Sequence, residues 1–159
     1  MQKREQRGFS LIELLIVVAI IGIIAAIAVP NMIKAQQAAH ETAAMQNLRS
    51  IGQGQSLFIL GKGHGKYGTL QDMGADGIVD SAFATGSKSG YLFTATPVVA
   101  DNAPPMYDST AKPTSTGKFG AGNRSYGSNE TNVLYWADGS VDVKGSPTDR
   151  IPPGAAPIQ

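Results

Sequence analysis

Sixteen consecutive apolar residues, Leu14 to Val29, follow directly on a carboxylate, Glu13. From Phe9 to Pro30 the chain is apolar on every helical face except at Ser10 and Glu13. A helix of that kind is buried or lies in lipid. At ~1.5 Å per residue the stretch spans about 33 Å, close to the ~30 Å hydrocarbon thickness of a bilayer. The residues before it, Lys3, Arg4 and Arg7 against Glu5, carry a net +2. That charge places the N-terminus in the cytoplasm and everything after Pro30 outside.

The amphipathic continuation shapes the rest. Ala44, Leu48, Ile51, Gln55 and Phe58 recur at spacings of 4, 3, 4 and 3 among polar residues, with Met45 and Ile59 beside them. That is one apolar stripe on a helix that has left the membrane and packs on something. Continuous from Phe9 to about Leu60, such a helix would be roughly 78 Å long at ~1.5 Å per residue. Half of it must therefore find partners elsewhere. Pro30 cannot donate its amide, so a bend is expected near Ala26–Pro30, with Gly22 a second weak point.

After Gly61 the sequence reads as β. Gly90 to Val99 is a strand candidate that Pro97 ends or places on an edge. Asn132 to Val143 reads as a hairpin: Val133 and Tyr135 alternate with Leu134 and Trp136, Asp138-Gly139 makes the turn, and Val141 and Val143 return. Residues 100–131 read as loop, above all Asp101 to Gly117. The tail from Ile151 reads as an extended flap. The expected fold is α+β: a long N-terminal helix packed on a small antiparallel sheet. Its parts are a leader (1–8), an apolar helix half (9–29), an amphipathic half (30–60) and a β-rich head with a Pro-rich tail (61–159).

Composition excludes more than it assigns. The net charge is +1, and −1 without the first eight residues, so no basic patch for nucleic acid is expected. There are no cysteines, hence no disulfide, thiolate metal site or cysteine nucleophile. His40 and His64 are too few for a zinc or catalytic centre. No nucleophile, base and orienting group recur at useful spacing, so no enzyme is expected. Asp72, Asp76 and Asp80 are spaced four apart but lack the spacing of a calcium loop, and read better as turn residues. Asp138 and Asp142 read the same way. No cofactor is expected, calcium being the one ion the aspartates would suit. Lys62, Lys66 and Tyr67 lie in a glycine-rich stretch without phosphate-loop spacing. It reads as a flexible connection, with contact to extracellular DNA the functional alternative. Tyr135 and Trp136 should face opposite sides of a sheet, one in the core and one at a subunit contact.

Glu13 remains to be explained. A carboxylate at the centre of a span costs about 2.5–3.5 kcal/mol, and less near an end. No cationic side chain lies near it within the apolar segment. A cut between Gly8 and Phe9 would create an α-amino group one helical turn away, with an ordinary pKa of about 7.7–8.0.

The run from Lys3 to Met32 resembles the leader and first helix of the type IV pilin family, which includes the pseudopilins of type II secretion. The resemblance covers about the first fifty residues. It implies cleavage after Gly8 by a membrane aspartyl peptidase that also methylates Phe9. It further implies that Glu13 registers subunits on a neighbour's Phe9 amine, and that Gly22 and Pro30 bound a segment that loosens in assembled filaments. The partners implied are that peptidase/methyltransferase, an inner-membrane assembly platform and further copies in a helical filament. The implied location is the inner membrane, then an extracellular or periplasmic filament. Many pilins close a C-terminal loop with a disulfide, which this chain cannot form. Pseudopilins often lack it, and some bind calcium there. A different class of reading rests on Ala26-Ile27-Ala28, an A-x-A signal-peptide site whose cleavage would release a secreted binding domain. Glu13, Pro30 and the G-F-S-L-I-E run stand against it.

Overall fold

The computed structural model describes residues 9–99 and 103–158, so the leader, Gly8 included, lies outside the described residues. It divides into two compact units, residues 1–35 and 36–159. Helix α1 (Leu11–Leu60) supplies both, with Pro30 inside it. In the first unit, every large apolar residue from Leu11 to Val29 is between 48% and 78% exposed. Nothing among the described residues covers them.

In the second unit the stripe on α1 packs as its spacing requires: Ala44, Leu48, Ile51, Gln55 and Phe58 are buried. Short helix α2 (Leu70–Ala75) and a 3-10 turn (Ser81–Thr85) follow. Six strands then form one antiparallel sheet in chain order: β1 (Ser87–Lys88), β2 (Tyr91–Val98), β3 (Met106–Pro113), β4 (Arg124–Asn129), β5 (Leu134–Asp138) and β6 (Ala156–Pro157). Period-2 alternation puts Tyr91, Phe93 and Ala95 of β2 toward the helix, beside Ala111, Tyr126 and Leu134. Polar bonds tie helix to sheet. The Glu41 carboxylate accepts from the Asn123 amide (3.1 Å) and the Tyr126 hydroxyl (3.2 Å). Burial and then the Glu41 charge push the Tyr126 phenol up to about 12, so it remains a donor at neutral pH.

Residues 106–131 correct the loop reading, because β3 and β4 are the inner strands of the sheet. From Met106 to Ala111 every residue of β3 is buried. One face of these strands meets the helix. The other, lined by Thr110, Ser125, Gly127 and Asn129, is crossed by residues 139–150. Small polar side chains on that face are satisfied locally. The Thr94 and Thr110 hydroxyls bond at 2.8 Å, and Ser125 donates to the Gly139 carbonyl at 2.6 Å.

The hairpin at Asp138-Gly139 needs a second correction. The turn forms, with Gly139 at φ 82°. Yet β5 pairs with β4 and β6, so neither edge is open to a returning strand. The chain crosses β4 instead: the Val141 amide donates to Ser125 Oγ at 3.0 Å, and Val143 is buried. The tail contributes edge strand β6, and the Ile158 amide donates to the Leu134 carbonyl at 2.8 Å. Gly61 to Gly68, read as a flexible connection, is a pinned turn. The Gln55 side chain donates to the Gly68 carbonyl (2.6 Å) and accepts from its amide (3.0 Å).

Two substitutions test this packing. A Cβ at Gly127 would lie 1.8 Å from the Val143 carbonyl oxygen, which is backbone and cannot swing aside. Gly127→Ala should therefore displace the crossing segment and lower stability by about 3 kcal/mol, the upper end for overpacking, read as a fall in the denaturation midpoint. Tyr107 is the contrasting case. Its hydroxyl is buried without a hydrogen-bond partner among the described residues. Tyr107→Phe should be neutral or raise stability by about 1 kcal/mol, since it removes an unsatisfied group and little volume.

Candidate functional site: the start of the N-terminal helix

Helix α1 begins after Ser10, whose carbonyl accepts the first bond from the Leu14 amide at 3.3 Å. Glu13 lies in the first turn, where the helix dipole favours an anion. Its carboxylate accepts the Ser10 backbone amide at 2.9 Å, one arm of a capping box. The signal was present as Ser10-x-x-Glu13, a capping pattern before an apolar run. Sequence reasoning passed over it because the cost of Glu13 in lipid dominated the reading. Within the chain, then, Glu13 is hydrogen-bonded but carries no cationic partner among the described residues. Phe9 is 86% exposed and lies two residues before the first residue of α1.

Gly22 meets no neighbouring atom within 4 Å of where a Cβ would stand, so nothing among the described residues requires glycine there. Pro30 lies within the helix, where its ring nitrogen cannot bond to the preceding turn.

The other candidates are dispersed, and most have structural employment. Asp72 forms a complete capping box with Thr69 at the start of α2. The Thr69 amide, then its hydroxyl, hold that carboxyl below its ordinary value. Asp76 is the C-cap of α2, and Asp80 caps the 3-10 turn while pairing with Lys88 at 2.8 Å. Asp142 pairs with Lys112 at 2.9 Å. Among the described residues, no group of three or more His, Asp or Glu side chains could hold a metal ion. Tyr67 packs on Tyr107 at 4.6 Å, while Lys62 and Lys66 are exposed. His40 sits beside Gly90 at the start of β2, and His64 lies in the turn after α1. Trp136 packs against the core and carries the Arg124 guanidinium 4.7 Å above its ring.

Sequence comparison bears on the same first turn. Residues 3–29 match the family described as the prokaryotic N-terminal methylation motif. Over its N-terminal region the chain is similar to a type IV major pilin and to type II secretion core proteins. The chain is 55% identical over 53 residues to the type IV major pilin protein PilA of Myxococcus xanthus, covering 33% of this chain and 24% of that protein. It is 38% identical over 60 residues to the type II secretion system core protein G of Pseudomonas aeruginosa, covering 38% of this chain and 42% of that one. The core protein G of Aeromonas hydrophila matches at 30% over 91 residues, 57% of this chain and 62% of that protein. The chain thus spans between about a quarter and three fifths of these relatives' lengths. No solved structure matches.

Proposed function

We propose that this chain is a structural subunit of a type IV pilus or pilus-like filament. It is made as a single-span membrane precursor with its N-terminus in the cytoplasm. A prepilin peptidase cuts it after Gly8, and Phe9 is methylated. With an inner-membrane assembly platform it then polymerises, Glu13 docking on the Phe9 amine of a neighbouring copy. The observation that carries this reading is a methylation motif placed on a helix segment, Leu11 to Val29, whose large apolar residues are all exposed. Lipid covers that surface before assembly, and neighbouring helices cover it after. Each added subunit relieves the penalty of its own carboxylate, because a charge pair in lipid is far more favourable than a lone charge.

The exposed face of α1 beyond residue 36 suits the same role. Thr42, Ser50 and Ser56 donate their hydroxyls to the carbonyls of Ala38, Gln46 and Gly52, so these side chains lie down on their own helix. A helix face depleted of charge favours a protein neighbour over bulk water.

A second reading, a type II secretion pseudopilin, is favoured by the extent of the longer match. A 91-residue stretch of a 159-residue chain necessarily includes residues 69–91, so similarity to core protein G passes beyond α1 into the head. The test is where the chain is recovered. Sheared surface material that sediments as a polymer containing this chain supports the pilus reading. A normal surface with defective protein secretion on deletion assigns it to secretion. Recovery only as a membrane monomer, with neither phenotype, contradicts both.

A further inference from the structure

The loop between β3 and β4 carries an exposed aromatic residue on a tightly built turn. Phe119 is 77% exposed, and the Lys118 ammonium lies 5.8 Å from its ring centroid. Single exposed apolar residues on a surface need no explanation. The construction around this one does. Gln37 Nε2 donates to the carbonyls of both Gly117 (2.7 Å) and Gly120 (3.1 Å), gripping the turn on either side of the Lys118-Phe119 pair. Within the loop, the Gly117 amide donates to Asn123 Oδ1 at 3.0 Å, the Gly120 amide to the Gly117 carbonyl at 3.1 Å and the Ala121 amide to the Ser115 carbonyl at 2.9 Å. The turn is held in shape so that its apolar tip faces outward.

The partner is indicated by where the grip is made along the chain. Gln37 comes seven positions after Pro30, with Lys34 between them. Even a fully extended chain of that length reaches no further than about 25 Å. A phenyl ring beside a lysine suits a membrane surface, where the ring enters the boundary between headgroups and acyl chains and the ammonium meets anionic lipid.

We infer that the Lys118–Phe119 tip contacts an anionic phospholipid surface while the chain is held in the membrane, an inference that rests on the membrane-anchored precursor proposed above. The contact steadies the head before its incorporation into a polymer.

The experiment uses the full chain in vesicles of phosphatidylethanolamine and phosphatidylglycerol, with and without bromine on the acyl chains near the headgroup. Phe119→Trp adds a reporter, read against the parent protein so that Trp136 is subtracted. The added emission should be blue-shifted, quenched by brominated lipid and sheltered from acrylamide. Adding Gln37→Ala should weaken the quenching, because the turn is no longer gripped. Water-like emission with full acrylamide access overturns the inference. So does shelter seen only in sheared, lipid-free filaments, which would make the tip a contact between copies. The N-terminal mass and vesicle association of the same sample are read in parallel. A correctly processed, vesicle-bound chain without quenching defeats the lipid contact alone, whereas a chain absent from the vesicles defeats the anchoring reading and the contact with it.

Discussion

Replacing Arg150 with alanine will lower the stability of the second unit by about 3–5 kcal/mol, the range for removing one partner of a buried ion pair. The guanidinium is nearly saturated. Its Nε donates to Glu130 Oε1 at 2.6 Å, and its Nη2 to Glu130 Oε2 (2.8 Å), Asp108 Oδ1 (2.9 Å) and the Tyr107 carbonyl (2.7 Å). Its Nη1 reaches the Ser146 carbonyl at 3.2 Å, while Asn129 donates to the Arg150 carbonyl at 2.7 Å. These bonds fasten the crossing segment to β3 and β4 in a chain that has no cysteine with which to do so. Alanine would leave two carboxylates of low exposure without their cation, Asp108 at 8% and Glu130 at 20%. Arg150→Lys should recover only part of the loss, because an ammonium cannot reproduce the two-pronged geometry.

The same cluster sets an acid limit. Burial raises the Glu130 pKa, but the Arg150 hydrogen bond and backbone donors outweigh it and leave the carboxyl below its ordinary value. A carboxyl depressed in the folded state contributes stability above its unfolded pKa, and that contribution is lost as pH falls through the folded value. The denaturation midpoint should therefore be flat at neutral pH and fall below about pH 4, the ordinary glutamate range. In Arg150→Ala the Glu130 part of this acid dependence should shrink or reverse.

Glu13→Ala will have the largest effect on assembly and little on insertion. Removing a carboxylate from a span lowers the cost of entering the membrane, so the precursor should accumulate in the membrane at least as well as the parent. On the proposed function, what is lost is the charge pair between copies. If that pair contributes as little as about 1.4 kcal/mol per subunit, the subunit level needed for polymerisation rises about tenfold. Sheared-filament yield against membrane pool measures it, and unchanged yield at equal membrane level would remove Glu13 from the assembly mechanism. Glu13→Gln separates charge from capping, since the amide oxygen still accepts the Ser10 amide while no longer pairing with an amine.

The helical half of this protein was legible because its information is periodic. The apolar run and the Ala44-to-Phe58 stripe each admit one arrangement, and β2 (Tyr91–Val98) falls within the stretch Gly90 to Val99 read as a strand. The inner strands β3 and β4 were not legible. Their outward face is lined by Thr, Ser, Gly and Asn, and what covers it comes from residues 139–150, distant in sequence. The returning strand at Val141 was misread for a related reason: local turn chemistry cannot show that β5 already has β6 on its free edge. Arg150 passed unnoticed because a lone arginine near a Pro-rich tail looks like surface. Its partners Asp108 and Glu130 come together only in the fold. At the functional end, the spacing of Gly8, Phe9 and Glu13 carried the processing reading as an expectation, whereas the Ser10 amide bond to Glu13 came from the structure.

The measurement closest to the central claim is the intact N-terminal mass of the protein taken from its native membrane or from sheared filaments. A mature chain beginning at Phe9 and carrying one added methyl group is the predicted result. A chain beginning at Val29, or one that retains residues 1–8 in assembled material, would contradict it.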